Sequence, residues 1–166
     1  MGVLSSVDHE TKAMYILIKT LHILSATFLF GTGIGSAFYL LCASLKRDPR
    51  VVAFVARYVV IADWLFTATS VVAQPLTGYY LIKISGMPLH QRWLMWSIAL
   101  YVVAIACWLP VVYLQMRMRD IAQAAADTGT ALPHQYWRYF YWWVGLGFPA
   151  LFAFIAIFYL MVAKPF

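Results

Sequence analysis

Residues 20–45, 58–82, 93–116 and 139–163 form four long apolar runs, and Asp63 is the only formal charge inside any of them. About 20 apolar residues rising about 1.5 Å each cross a hydrocarbon core of about 30 Å, so each run is long enough to span a bilayer as a helix. The runs are continuously apolar. A transmembrane barrel would need segments of about ten residues that alternate in polarity, so a barrel is excluded. Mean hydropathy is +0.78 and only 11% of residues are charged, which leaves no material for a soluble domain. The expected architecture is therefore an all-α membrane protein forming a single integral membrane domain over 1–166. It is a four-transmembrane-helix antiparallel bundle running up-down-up-down.

Punctuation between the runs sets the expected boundaries. The first helix covers about 13–46 and stops at Arg47-Asp48-Pro49-Arg50, because proline lacks the donor a continuing helix needs. The second covers about 51–84 and ends at the turn signal Ser85-Gly86-Met87-Pro88. The third covers about 91–126 and closes at Asp127-Thr128-Gly129, and the fourth covers about 134–163 after Pro133. Short connections join antiparallel neighbours. Tyr136, Trp137, Tyr139, Tyr141, Trp142 and Trp143 crowd the start of the last helix, while Trp93 and Trp96 mark the other interface, as an aromatic belt.

The net charge of +6 is no nucleic-acid footprint, because the basic residues sit at helix ends. Of twelve, Lys46, Arg47, Arg50, Arg57, Arg117, Arg119 and Arg138 flank the first and third connections. Lys12, Lys19, Lys83, Arg92 and Lys164 lie on the opposite side. The basic excess places those connections in the cytoplasm and both termini in the periplasm of a bacterial inner membrane. Cys42 and Cys107 are far apart without a CxxC and read as small buried hydrophobes.

The polar groups inside the runs carry whatever chemistry the chain has. An ionisable residue within a bilayer is costly and usually faces a bundle interior, a cavity or a cofactor. Counting rise from the helix ends places His22 about 10 Å and Gln74 about 12 Å below the outer boundary. Ser97, Tyr101 and Phe154 fall near the same depth. Pro75 frees the carbonyl of Val71 one turn earlier, adding backbone polarity to that layer. His90 and His134 lie at the two surfaces and His9 in the N-terminal tail, so no second histidine reaches it. HxxxH and HExxH spacings are absent, which argues against a zinc site. A haem iron needs one strong axial ligand, usually histidine. On this reading His22 is the metal ligand, Gln74 stands beside it, Gly33 gives clearance three turns along the same face, and Met95 is the candidate sixth ligand. The glycines at 31 and 35, with GxxxG spacing, read equally as close helix packing. Asp63 lies near the cytoplasmic interface, where Arg57 or Arg138 would pair with it.

Lys19-Thr20-Leu21-His22-Ile23-Leu24, the glycines that follow and Trp93-Leu94 resemble the HemJ family, small membrane proteins that bind b-type haem and oxidise protoporphyrinogen. That resemblance implies haem b on His22. Where that family carries a lysine after the tryptophan-leucine pair this chain has Ser97, a departure that bears on the oxidase activity. Most of the chain, including Ala62-Asp63-Trp64 and Gln74-Pro75-Leu76-Thr77-Gly78, resembles a bacterial family of predicted integral membrane proteins of unknown function, the domain of unknown function 2269 type. Three functional expectations stay open. One is a haem b protein of membrane redox or tetrapyrrole chemistry, working with a membrane redox partner or quinone. The second is binding or transport of a small polar solute or proton. The third is an assembly subunit of a membrane complex, or a homo-oligomer, held by its small-residue faces.

Overall fold

The computed structural model describes the backbone of residues 2–165 and the side chains of residues 10–165. Helix α1 (Gly2–Leu45) begins at Gly2, well before the start near residue 13 that the sequence suggested. Helix α2 (Pro49–Ala62), a π-helical turn (Asp63–Thr67) and α3 (Ala68–Ser85) follow one another without a break and make the second span. Helix α4 (Arg92–Thr128) is the third span and α5 (His134–Ala163) the fourth. All four spans are long and apolar enough to cross a membrane, and no strand occurs among the described residues. The fold is an all-α four-helix membrane bundle.

The corners follow from local chemistry. Arg47 takes a left-handed conformation, φ 57°, so the chain leaves α1 sharply. Asp48 then caps α2, its Oδ1 accepting the Arg50 N–H at 2.9 Å, and Pro49 fills the first turn, where its missing N–H costs nothing. Gly86 and Gly129, at φ 61° and 66°, end α3 and α4. At each the following residue bonds back, Met87 N–H to Ile82 O and Thr130 N–H to Ala125 O, closing a Schellman turn. Lys164 Nζ lies 5.4 Å above the Trp93 ring, so the end of α5 meets the start of α4, as antiparallel neighbours must.

The core is concentrated at the end of the bundle that carries the first and third connections. On α2, Val52, Ala53, Ala56, Val59 and Val60 are buried at helical spacing. The first four of these pack with Leu40 and Ala43 of α1, Leu114, Met118 and Ala122 of α4, and Tyr136, Phe140 and Trp143 of α5. Tyr136 and Trp143 among them correct the aromatic-belt reading. Residues 136, 140 and 143 repeat at four and three, fall on one face and turn inward, while Tyr141 and Trp142 stay exposed. Tyr136 is fully buried, and its hydroxyl lies 2.6 Å from Ser44 Oγ. Ser44 gives its own proton to Leu40 O at 2.7 Å, so Tyr136 is the donor of this α1–α5 bond.

The other end is looser. A Cβ built on Gly31, Gly33, Gly35, Gly145 or Gly147 meets nothing within 4 Å, so these glycines do not mediate helix packing within the chain. Phe30 and Phe158 meet edge to face at 5.2 Å and hold α1 to α5 there.

Candidate functional site

The depth count from the sequence pairs α1 with α3 correctly. His22 and Gln74 meet, and the contact is made through hydrogen bonds rather than simple proximity. Gln74 Nε2 donates to His22 O at 2.7 Å and to Ser25 Oγ at 2.6 Å, and Ser25 Oγ donates to the same carbonyl at 3.1 Å. The carboxamide thus clamps the α1 backbone one turn below the imidazole. Its neighbour Pro75 removes the donor that Val71 O would have used, and Tyr101 OH on α4 donates to that carbonyl at 2.6 Å. One proline therefore creates the acceptor that ties α3 to α4.

Two residues that depth alone did not select complete the layer. Thr77 Oγ1 lies 2.7 Å from His22 Nδ1. Thr77 has a single hydroxyl proton, and Ala73 O at 2.6 Å and Gln74 O at 3.2 Å both compete for it. The threonine oxygen therefore accepts from Nδ1–H. In a neutral ring the lone pair is then on Nε2. Gly78 makes room for this arrangement: a Cβ there would stand 3.4 Å from His22 Cε1, so any side chain larger than alanine would press on the ring. Residues 74, 77 and 78 fall on one helical face, a signal visible in the sequence once Gln74 is chosen.

The remaining residues singled out from the sequence are placed differently. Gly33 is exposed and has open space where its side chain would be. Met95 is 56% exposed on α4, its side chain turned outward. Ser97 is buried and spends its proton on Trp93 O at 2.8 Å, one turn back on its own helix. Phe154 is half-buried on α5. His90 and His134 are exposed at opposite ends. Among the described residues no group of three or more His, Cys, Asp or Glu side chains is placed to hold a metal ion, so any metal here would rest on one histidine and its own macrocycle.

Asp63 departs most from expectation. It is 3% exposed and pairs with neither Arg57 nor Arg138, both exposed. Its Oδ1 accepts from Thr67 Oγ1 at 2.9 Å, and the Gln115 side chain of α4 is its other hydrogen-bonding neighbour. The π-helical turn begins at this residue, with Ala68 N–H reaching back to Asp63 O. Such turns are frequent at functional positions. Depth measured along the helix axis placed Asp63 by the interface. Rotation turns it inward instead.

A sequence model of the family described as "Predicted integral membrane protein (DUF2269)" matches residues 16–165, all but the start of the chain. The chain belongs to this family. The match runs through His22, the π-helical turn, the Gln74–Gly78 segment and all four spans. No curated protein and no solved structure matches the chain. This DUF2269 protein is thus an integral membrane protein whose polar interior must be read from its own geometry.

Proposed function

We propose that this DUF2269 protein binds haem b through His22 Nε2 and takes part in membrane redox or tetrapyrrole chemistry. The observation that carries the reading is the fixed tautomer. A ligating histidine characteristically donates its other N–H to an oxygen acceptor, which orients the ring and raises its basicity. Thr77 Oγ1 at 2.7 Å supplies that acceptor, and the Gln74 backbone is the ring's other hydrogen-bonding neighbour. The donor set suits a single-histidine haem and not a zinc ion, which takes four ligands. Haem would supply the electron chemistry when bound. The chain's own residues would orient the ring (Thr77), fix the α1 backbone beneath it (Gln74, Ser25) and keep one side of it clear (Gly78). With Met95 turned outward, His22 would be the residue that holds the haem, and a membrane redox partner such as a quinone would exchange electrons with it. The detergent-purified protein from haem-replete cells is expected to be coloured, with a Soret band near one haem per chain. A colourless, folded preparation overturns the reading.

We further infer that the membrane is a bacterial inner membrane, with both termini periplasmic. The basic residues of the first and third connections support it, since they surround the tightly packed end. A reporter fused after Arg47 is expected to signal from the cytoplasm and one fused after Gly86 from the periplasm. The reverse pattern inverts the topology.

A further inference from the structure

The second span carries polar side chains at 63, 67, 70, 74 and 77, a spacing of four, three, four and three that puts them on one helical face. The face points inward. Asp63, Thr67 and Ser70 are 3%, 3% and 4% exposed, while Gln74 and Thr77 are half-buried, and Thr77 ends the row on His22. From residue 63 to 77 the row runs about 21 Å along the helix, two-thirds of a hydrocarbon core.

Two buried atoms on α4 lack partners. Gln115 Oε1 is an acceptor without a donor beside Asp63, in a residue only 3% exposed, and Trp108 Nε1 is a donor without an acceptor. Seven residues apart, they lie on one face of α4, about 10 Å from each other. A stranded donor and a stranded acceptor along a polar row are the partners a buried water needs. Asp63, meanwhile, is a buried carboxyl with only neutral neighbours: the one ion pair among the described residues is Arg119–Asp120, outside the row. An unpaired carboxylate costs several kcal/mol in such surroundings, and a proton removes that cost.

The row is open at one end only. The packed cluster of Ala56, Val59, Leu40, Leu114 and Met118 fills the bundle between Asp63 and the basic connections. The His22 end is half-exposed. The geometry points to a proton half-path: a water-holding seam that opens on the His22 side and ends at Asp63, which takes up and releases a proton through it. On uptake, a hydronium at the His22 end gives its proton to the seam and is left as water, while an Asp63 carboxylate oxygen receives a proton from the seam, becoming a neutral carboxyl. Release reverses the order. Nothing in this step requires haem.

Infrared spectroscopy of the full chain in lipid vesicles tests it. Subtracting the spectrum of Asp63→Asn isolates the Asp63 signal, and Asp63→Glu, which should displace the band, serves if the asparagine variant does not fold. A protonated-carboxyl C=O band is expected at neutral pH, shifting promptly on transfer to D2O. Thr77→Val and Thr67→Val should slow that shift about tenfold each, the rate equivalent of one lost hydrogen bond. Thr69→Val, exposed and bonded only to its own helix, should leave the rate unchanged. Absence of the carboxyl band, or equal exchange in Thr77→Val and the parent, overturns the half-path.

Discussion

His22→Ala is expected to abolish the Soret band while leaving a folded, membrane-inserted protein. The fold tolerates the change because little else depends on the ring. The clamp from Gln74 and Ser25 is made to the His22 carbonyl, which any residue supplies, and the Thr77 hydroxyl keeps its own acceptor at Ala73 O. The remaining cost is one membrane hydrogen bond, about 1 kcal/mol, and a small void. His90→Ala and His134→Ala should retain full haem content, since both side chains are exposed at the bundle ends. Absorbance of purified variants at equal protein concentration decides the matter. An intact Soret band in His22→Ala would end the ligand assignment, and a loss of folded protein without spectral change in what remains would make His22 a structural residue.

Tyr136→Ala is expected to cause the largest loss of stability of any single truncation in this chain. Tyr136 is the largest fully buried side chain, and it reaches α1 through Ser44. Truncating a buried aromatic to alanine costs about 3–5 kcal/mol in soluble cores. In a bilayer the transfer part of that cost is small, because lipid tails are as apolar as the core, and lost packing carries the effect. About 3 kcal/mol is therefore expected here. Tyr136→Phe removes only the hydroxyl bond and should cost about 1 kcal/mol. Unfolding titrations in mixed micelles measure both. Equal stability of the alanine variant and the parent would show that the cluster is not what holds α5 in place.

The spans, their corners and the meeting of His22 with Gln74 were legible because each depends on position along a helix axis. Rise per residue converts sequence number into depth, and Pro75 identified Val71 as the freed carbonyl before Tyr101 OH was seen to take it. What escaped depends on rotation about the axis. Tyr136 and Tyr141 sit at similar depth, yet one is core and the other exposed. On α5, where nearly every residue is apolar or aromatic, the usual signal for rotation, apolar against polar faces, is nearly absent, so packing decides it. Asp63 was placed by depth alone, which suggested an interfacial ion pair, although it belongs to the polar stripe of the second span that turns inward. The glycines failed for a related reason. GxxxG spacing states that a backbone is approachable without stating by what, and among the described residues only Gly78 is a glycine approached by a side chain of another helix.

The π-helical turn also separates two duties of one span. A π-turn accommodates one extra residue in a helix, and each residue of an α-helix turns the following face by about 100°. Helix α2 is phased to seat Val52, Ala56 and Val59 in the core cluster, and α3 is phased to offer Gln74 and Thr77 to His22. The turn acts as a phase adjuster between them: a single-residue deletion at Leu65 would be taken up as a regular α-turn with both halves still facing their partners, whereas a deletion at Val72, outside the turn, would swing one half away. The two halves can therefore change independently, with the anchoring end conserved in shape while the histidine end is retuned.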